Sequence, residues 1–445
     1  MTETVVRPHV VGPVPVVGNL WRRIEDMTKI YPIAAMMVLA VALVAQAQEE
    51  AEGWHQWGGP TRNFHVAAAP LADSWPADGP PRLWSRDLGE GYSAIVAQQD
   101  LLVTMYRDGE QEVIVALAAE SGSTRWQLAY DAPLLHDGYF DIWMNSAGPG
   151  PYATPVIAGD QVFALGTNGQ LHALDLQTGE LQWSHNLVDL FALSDFVAFT
   201  SSPLAFGGTV ILPLGSSGRG VVAFDQETGE VVWQSEGFGV APSSAVVVSV
   251  DGEEQLVVFG QQVLVGLDPT DGNHLWRHEL ESETPLNVAT PVWGPDNILF
   301  ISAAYDGGSL ALRLRQLDGY TTVEEVWSTN RMRVHFSNAL RVGNLMLGSS
   351  GDFGPTFLTA MDISTGEEMW RERSFARSHM LYADGKVVFV DEDGEVAIAS
   401  VSNAGLDIHA RHSILTNNAW TPPTLVDGTL YVRDRRTIVA LDLSD

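Results

Sequence analysis

The chain of 445 residues contains no cysteine. This absence excludes disulfides, thiolate metal sites, cysteine nucleophiles and lipid attachment through cysteine. Basic residues are also scarce, because 24 Lys and Arg stand against 55 Asp and Glu, for a formal net charge of −31. So acidic a chain repels nucleic acid and anionic membrane surfaces, and we expect neither as a partner.

Standard catalytic phrases are missing as well. The chain has no HExxH, no P-loop, no G-x-G-x-x-G and no G-x-S-x-G. "DEDGE" at Asp391 is interpreted as a hairpin turn rather than a calcium loop, because the rest of the ligand pattern is absent. Asp137 and Asp141 have the chemistry to coordinate a cation, but a solvated loop is the default interpretation. No metal site is predicted.

Long apolar runs are confined to one stretch near the N-terminus, from Tyr31 to Ala47. The run is short for a membrane span, which needs about 20 apolar residues. Lys29 precedes it and a small-x-small site ends it, and these are the marks of an export signal. We therefore predict that residues 1–47 are a signal peptide, with Met27 as an alternative start. The mature chain is expected in the periplasm or outside the cell without stable membrane insertion, and an uncleaved membrane anchor is the alternative.

What the chain does contain is a repeated phrase of eleven residues, A-x-D-x-x-T-G-x-x-x-W. Clear copies begin at Ala173, Ala223, Gly266 and Ala360, and weaker copies begin at Ala116 and Ala399. Alternating apolar residues lead into the phrase as in a half-buried strand, while its Asp and Gly favour a tight turn. The phrase is therefore interpreted as strand, turn and strand, with a tryptophan that packs between repeated units.

Two independent phrases count the repeats. The tryptophan, or a histidine in its place, recurs about every 46 residues, which is typical of four-stranded propeller blades. These positions are Trp84, Trp126, Trp183, Trp233, Trp276, Trp327, Trp370 and His409. A small or hydroxyl residue before an apolar strand also occurs eight times, at Ser93, Thr154, Ser202, Ser244, Thr290, Ser337, Ser378 and Thr421.

The two ends of the chain share one repeat. The last copy of the phrase is cut off at Asp445, and Trp84 supplies its missing half, as ring closure requires. We predict an all-β, eight-bladed β-propeller of four-stranded blades over residues 81–445, closed between its N- and C-terminal strands. Residues 48–80 form an N-terminal segment in front of it.

The phrase, as it stands at Ala173, Ala223 and Ala360, resembles the tryptophan-docking repeat of pyrroloquinoline-quinone (PQQ) type propellers. The resemblance covers about Pro81–Asp445 and implies eight blades whose tryptophans dock neighbouring blades. That family includes quinoprotein dehydrogenases and the non-enzymatic propeller of the outer-membrane β-barrel assembly machinery. "WHQWGGPTRN", Trp54–Asn63, resembles the opening segment of many exported members.

Candidate ligand-binding residues lie near the starts of the inner strands, which line the central funnel of a propeller. They are Tyr92, Arg331, Arg333, His335, Asn338, Arg377, His379, Asn417, Asn418 and Trp420. The arginines and histidines are suited to an anion site, because arginine binds carboxylates through two parallel hydrogen bonds. The alternative is that they balance the surplus of acidic side chains. Tyr92 and Trp420 are either stacking platforms or packing residues, and packing is favoured.

The expected function is that of an exported binding or scaffold module. Its ligand would be a small anionic molecule, a protein or a polysaccharide at the propeller face, with no cofactor. The alternative is a quinoprotein oxidoreductase of the alcohol or sugar dehydrogenase kind, holding PQQ with calcium. Family dehydrogenases have an adjacent cysteine pair, long insertions and a Glu–Asn–Asp set, and none of these matches this chain. The assembly-machinery propeller is anchored through an N-terminal cysteine, which is also absent, and a hydrolase or lyase has no motif here.

Overall fold

The computed structural model describes residues 53–68, 70–134, 148–193, 198–216, 219–281, 284, 286–352 and 354–445. The predicted signal peptide, residues 1–47, and the loop residues Asp137 and Asp141 lie outside the described residues. Across these ranges the regular structure is 32 β-strands and one short helix, α1 (Leu187–Phe191). None of it is a helix with the length and apolar character that a membrane crossing needs.

The strands form eight antiparallel sheets of four, which are the blades. The first strand, β1 (Arg82–Asp87), belongs to blade 8. Blade 1 contains β2 (Val96–Gln98), β3 (Leu101–Asp108), β4 (Gln111–Ala118) and β5 (Thr124–Asp131). Blade 2 contains β6 (Val156–Ala158), β7 (Gln161–Leu165), β8 (Gln170–Asp175) and β9 (Leu181–Asn186). Blade 3 contains β10 (Leu204–Phe206), β11 (Thr209–Ser216), β12 (Arg219–Asp225) and β13 (Val231–Gln234).

The remaining blades follow the same order. Blade 4 contains β14 (Val246–Val250), β15 (Glu253–Phe259), β16 (Val263–Leu267) and β17 (His274–Glu279). Blade 5 contains β18 (Val292–Trp293), β19 (Ile298–Ala303), β20 (Gly308–Leu317) and β21 (Tyr320–Thr329). Blade 6 contains β22 (Leu340–Val342), β23 (Leu345–Ser350), β24 (Phe357–Asp362) and β25 (Glu368–Glu372). Blade 7 contains β26 (Ser378–Ala383), β27 (Lys386–Asp391), β28 (Glu395–Ser402) and β29 (Gly405–Ser413), and blade 8 contains β30 (Thr424–Val426), β31 (Thr429–Arg433) and β32 (Thr437–Asp442).

Blade 8 closes the ring. Its outer strand is β1, which pairs with β32 in antiparallel register, so that Trp84 lies opposite Ala440. The hydroxyl of Thr424 donates to the carbonyl of Ile95 in blade 1 at 2.7 Å. The prediction of an all-β propeller with eight four-stranded blades, closed between the terminal strands, is confirmed.

The hydrophobic core lies between the blades. The second and third strands of each blade are largely buried, and apolar side chains of neighbouring blades form common clusters, such as the one that contains Ile211 of blade 3 and Val258 of blade 4. The predicted hydroxyl residues join inner strands: Thr154 Oγ1 accepts the Ala94 N–H, and Ser202 Oγ accepts the Thr154 N–H. The second repeated phrase therefore supplies hydrogen bonds between blades.

The turn of the eleven-residue phrase receives the tryptophan of the preceding blade. Asp175 Oδ1 accepts the backbone N–H and the hydroxyl of Thr178 at 2.7 and 2.8 Å, and Gly179 has φ of +71°. Trp126 of blade 1 packs on Gly179 and donates its indole N–H to the carbonyl of Leu176 at 2.8 Å. Equivalent indole bonds reach Ala119 from Trp84, Gln226 from Trp183, Ile363 from Trp327 and Ser402 from Trp370.

Blades 4 and 7 depart from this pattern. In blade 4, Trp276 donates its indole N–H to the side chain of Gln255 in its own blade at 2.7 Å. His409, predicted to stand in place of the tryptophan, lies at a bulge of β29, and its Nε2 is 2.9 Å from Ser400 Oγ in its own blade. The carbonyl of Leu443 in blade 8 accepts the backbone N–H of Ala72 instead of a ring N–H. The prediction for His409 is wrong, because the bulge displaces this residue from the position of the tryptophan, and the N-terminal segment supplies the hydrogen bond to Leu443 instead.

The first described residues, 53–68, lie among the inner strands, and we call them the plug. Trp54, 2% exposed, pairs with Ala97 of blade 1. Arg62 donates to the carbonyl of Pro203 before blade 3 at 3.1 Å, and burial lowers its pKa to about 9. Further bonds reach Ile157, Thr290, Arg341 and Tyr382, so the plug contacts blades 1, 2, 3, 5, 6 and 7.

Gly179→Ala tests the contact between the tryptophan and the turn. A Cβ at this position would lie 2.5 Å from Trp126 Cδ2, whereas a Cβ at Gly109, which also has positive φ, would meet nothing within 4 Å. We expect Gly109→Ala to cost about 1–2 kcal/mol for its left-handed backbone. Gly179→Ala should cost roughly 1–3 kcal/mol more in urea unfolding, since overpacking adds to that strain. Equal losses would show that the indole does not pack on the turn.

Candidate functional site

A row of aromatic rings crosses one face of the propeller, at the starts of the inner strands. Tyr92 stacks on Tyr152 with ring centroids 6.2 Å apart and on Trp420 with centroids 5.3 Å apart. Trp420 also contacts Phe336 at 4.7 Å. These four residues, which we call the aromatic row, come from connections into blades 1, 2, 8 and 6. Rings in such geometry stabilise one another, and the row lines the funnel.

Arg377 extends this arrangement into blade 7. Its guanidinium carbon lies 4.2 Å from the centroid of the Phe336 ring, a cation–π contact. Arg377 Nη1 is 3.3 Å from Glu392 Oε2, and the same oxygen accepts the indole N–H of Trp420 at 3.0 Å. Burial lowers the pKa of Arg377, although Glu392 acts in the opposite direction. The positive charge of Arg377 is therefore compensated within the protein.

Arg333 is paired in the same way. Its Nη1 lies 3.0 Å from Asp352 Oδ2 and donates to the carbonyl of Tyr305 at 2.8 Å. The Tyr305 hydroxyl is 3.1 Å from Nε2 of His335. Burial, with the nearby charge of Arg377 as a second cause, lowers the pKa of His335 to about 4. His335 is therefore neutral at pH 7 and adds no positive charge to the funnel.

Two predicted site residues hold blades together. Asn338 donates to the carbonyl of Met380 at 2.8 Å and accepts the Met380 N–H at 2.9 Å, which joins blades 6 and 7. His379 Nε2 is 3.0 Å from the carbonyl oxygen of Trp420, which joins blades 7 and 8. Both side chains are buried. These hydrogen bonds between blades account for both residues as structural, and neither residue needs a ligand.

The other predicted residues lie in loops of the same face. Asn417 donates its side-chain N–H to Asp434 at 3.1 Å, and the carbonyl of Asn418 accepts the Arg435 N–H at 3.1 Å. Arg331 is exposed and has no ion pair in the part of the chain that the structure describes. The structure thus brings Tyr92, Trp420 and the charged residues of blades 6 and 7 to one face.

Sequence reasoning missed the partners of these residues. Phe336 links Trp420 to Arg377, while Asp352 and Glu392 neutralise the two arginines. Asp352 and Glu392 lie between the second and third strands of their blades, outside both repeated phrases. Phe336 directly follows His335, and its aromatic character was the one local signal for it.

His379 makes the stability of the fold depend on pH. A carbonyl only accepts hydrogen bonds, so Nε2 carries the hydrogen and Nδ1 stays unprotonated, and burial lowers the pKa to about 4. The unfolded chain binds a proton near pH 6.5, so the stability contributed at neutral pH is lost as pH falls from about 6.5 towards 4.

We expect His379→Gln, which keeps a donor but does not titrate, to lose less unfolding free energy than the wild type between pH 7 and pH 4.5. The expected difference is about 1–3 kcal/mol, measured by urea unfolding at both pH values. Identical losses in the two proteins would mean that burial does not lower the pKa of His379 in the folded protein.

The described residues do not fit a calcium–PQQ pair. Arg333 and Arg377, the arginines suited to its carboxylates, are already bound to Asp352 and Glu392. Among the residues described, no three or more His, Cys, Asp or Glu side chains are grouped to hold a metal ion. The Asp391 stretch is the predicted turn, between β27 and β28, and its Oδ1 accepts backbone N–H groups.

Fold and site define the class: an eight-bladed β-propeller built from PQQ-type repeats, with aromatic rings and paired charges at its funnel. The sequence profile of the family described as "Outer membrane protein assembly factor BamB" matches residues 73–234 and 110–332. The chain belongs to this PQQ-repeat family, as the resemblance of the eleven-residue phrase predicted.

Individual relatives agree with this assignment. The chain is 25% identical over 313 residues to the outer membrane protein assembly factor BamB of Yersinia pestis, covering 66% of this chain and 75% of that protein. It is 24% identical over 314 residues to the factor of the same name from Escherichia coli K12, with the same coverage.

Solved structures share the fold. BamB from Moraxella catarrhalis superposes with a TM-score of 0.56 at 18% identity, over 81% of this chain and 96% of that one. Quinohemoprotein alcohol dehydrogenase from Comamonas testosteroni gives a TM-score of 0.61 at 12% identity, over 88% and 81% of the two chains. At such identities these likenesses concern the fold alone, because one fold serves both uses.

Proposed function

We propose that this chain is an exported scaffold that binds protein partners in outer-membrane protein assembly. The observation that carries the proposal is the match of the BamB family profile, which spans residues 73–332. The name of that family gives the process, and the relatives of the same name cover two thirds of the chain. A partner protein follows from this, since an assembly factor acts on other proteins.

The geometry of the funnel face supports binding rather than catalysis. The arginines that point to an anion site are neutralised by Asp352 and Glu392, and His335 is buried and neutral. What the face offers a partner is the partly exposed rings of Tyr152, Phe336 and Trp420, together with the exposed charge of Arg331. Aromatic and arginine side chains are the residues most enriched at protein interfaces.

Export rests on the predicted signal peptide of residues 1–47. Cleavage near Ala47 would leave a mature chain that begins close to Gln48. Mass spectrometry of the intact protein from its native host distinguishes the cleaved form from an uncleaved membrane anchor. Recovery of the full-length mass from membranes would favour the anchor.

The test of the scaffold role is cross-linking in living cells of the native host, followed by isolation of a tagged chain. We expect a subunit of the outer-membrane assembly apparatus to be cross-linked to the chain. Arg331→Glu, on the funnel face, should weaken this capture, whereas Arg125→Glu, at an exposed ion pair on β5, should not. Isolation of the chain without any assembly subunit would contradict the proposal.

The second candidate function is a quinoprotein oxidoreductase. The gathering of Arg333 and Arg377 on one face favours it. Its cofactor would be PQQ with calcium, bound at the funnel. The pairing of both arginines makes this candidate the weaker one.

A further inference from the structure

A cleft opens between blades 6 and 7, beside the aromatic row. Its volume is about 430 Å³. One side is formed by Thr356 and the residues just before it, and the other side is formed by the connection from β25 to β26. Arg373, Arg377, Glu392 and Asp393 supply four charged groups to its lining. The cleft is therefore small, polar and of mixed charge.

Arg373 lines the cleft and stacks on an aromatic ring, and its guanidinium N–H groups remain free to donate hydrogen bonds. Its guanidinium carbon lies 4.4 Å from the centroid of the Phe357 ring, and Arg371 approaches the same ring at 4.4 Å. Arg371 does not line the cleft and lies 3.9 Å from Glu368. Arg373 has no carboxylate partner within the ranges that the structure covers. The guanidinium group of Arg373 is thus free to bind a ligand carboxylate.

Two buried polar atoms of the lining lack partners. Thr356 is 4% exposed and Arg377 is 6% exposed, yet Thr356 Oγ1 and Arg377 Nε make no hydrogen bond to described residues. A buried donor or acceptor that is left unsatisfied destabilises the fold. Such atoms in a native protein are satisfied by ordered water, by an ion or by a bound ligand. Both residues line the cleft.

The acidic residues of the cleft provide the opposite charge. Asp393 is exposed and has no cationic partner among the described residues. Glu392 Oε2 is bound to Arg377 and Trp420, and its Oε1 accepts the backbone N–H of Arg377 at 3.4 Å. A simple anion would be repelled by these two carboxylates. Because Arg377 and Glu392 neutralise each other, a ligand that carries both a carboxylate and an ammonium group complements the two remaining charged residues, Arg373 and Asp393.

We propose that this cleft binds a small zwitterion of the size of an amino acid or a dipeptide. Its carboxylate lies against Arg373, the Thr356 hydroxyl and Arg377 Nε, and its ammonium group lies against Asp393 and Glu392. This site goes beyond the scaffold role and does not depend on it, because one chain supplies all the residues that line the cleft.

Calorimetric titration of the whole protein with alanyl-alanine tests the proposal. Saturable binding is expected, and it should weaken at least tenfold when the dipeptide is C-terminally amidated or N-acetylated, a loss of about 1.4 kcal/mol or more. Arg373→Ala and Thr356→Val should weaken it about as much. Arg371→Ala, the matched control on the same ring, should stay within about twofold, since that arginine lies outside the cleft.

Three results would overturn the proposal. They are the absence of binding up to about 10 mM alanyl-alanine, equal affinity for free and blocked dipeptides, or equal loss in Arg371→Ala and Arg373→Ala. If Arg373→Ala fails to fold, Asp393→Asn gives an independent test. This variant should bind the free dipeptide more weakly than the wild type and bind the acetylated dipeptide with unchanged affinity.

Discussion

Glu112→Ala is expected to lower the free energy of unfolding by about 3–5 kcal/mol. Glu112 and Arg107 form an ion pair at 2.8 Å inside blade 1, with side chains 0% and 3% exposed. The hydroxyl of Tyr130 and the backbone N–H of Thr167 donate to the other carboxylate oxygen at 2.9 and 3.0 Å. Removing the carboxylate leaves a buried cation and two buried donors without an acceptor, and each of these is costly.

The matched control is an exposed ion pair of the same blade. Arg125 lies 3.2 Å from Asp100, and the two side chains are 46% and 67% exposed. Arg125→Ala should cost less than about 1 kcal/mol, because water screens such a pair. Urea unfolding of the two variants at pH 7 measures both losses. Similar losses would mean that water reaches Glu112 in the folded protein.

Deletion of residues 438–445 is expected to abolish the closed ring. It removes almost all of β32, which pairs with β31 on one side and with β1 on the other. It also removes the carbonyl of Leu443, which accepts the N–H of Ala72. Opening the ring exposes two long sheet edges and the apolar faces of blades 1 and 8, which a propeller does not tolerate.

The truncated chain should show no cooperative thermal transition and a larger radius in small-angle scattering. Deletion of Asp445 alone leaves the pairing of β32 intact and should preserve both properties. A truncated protein that melts and scatters like the wild type would contradict closure through β1 and β32.

The blades could be predicted because their signals are local. Asp175, Thr178 and Gly179 close a turn among themselves, so the phrase identifies a strand pair wherever it occurs. The phrase is repeated, and Trp84 is separated from the rest of its blade by almost the whole chain. This arrangement indicates from sequence alone that the ring is closed between the two ends of the chain. Blade count, strand number and the joining of the termini all follow from this spacing.

The plug and the site residues could not be predicted in the same way. Trp57 donates to Thr290 at 2.9 Å and Arg62 to Pro203 at 3.1 Å, across more than a hundred residues, and no periodicity marks such pairs. The ion pair of Arg377 and Glu392 likewise joins two loops, and neither repeated phrase relates the positions of these loops. His409 had the right offset in sequence, but the bulge in β29 displaces it.

The proposed scaffold role differs from the quinoprotein alternative in whether the propeller holds PQQ. Titration of the purified protein with PQQ and calcium, followed by calorimetry, absorbance and a dye-linked alcohol or sugar dehydrogenase assay, tests this difference most directly. We expect no retained PQQ and no dye reduction, because Arg333 and Arg377 are already neutralised by Asp352 and Glu392. Micromolar or tighter binding with dye reduction, both lost in the Arg333→Ala and His335→Ala double variant, would contradict this expectation.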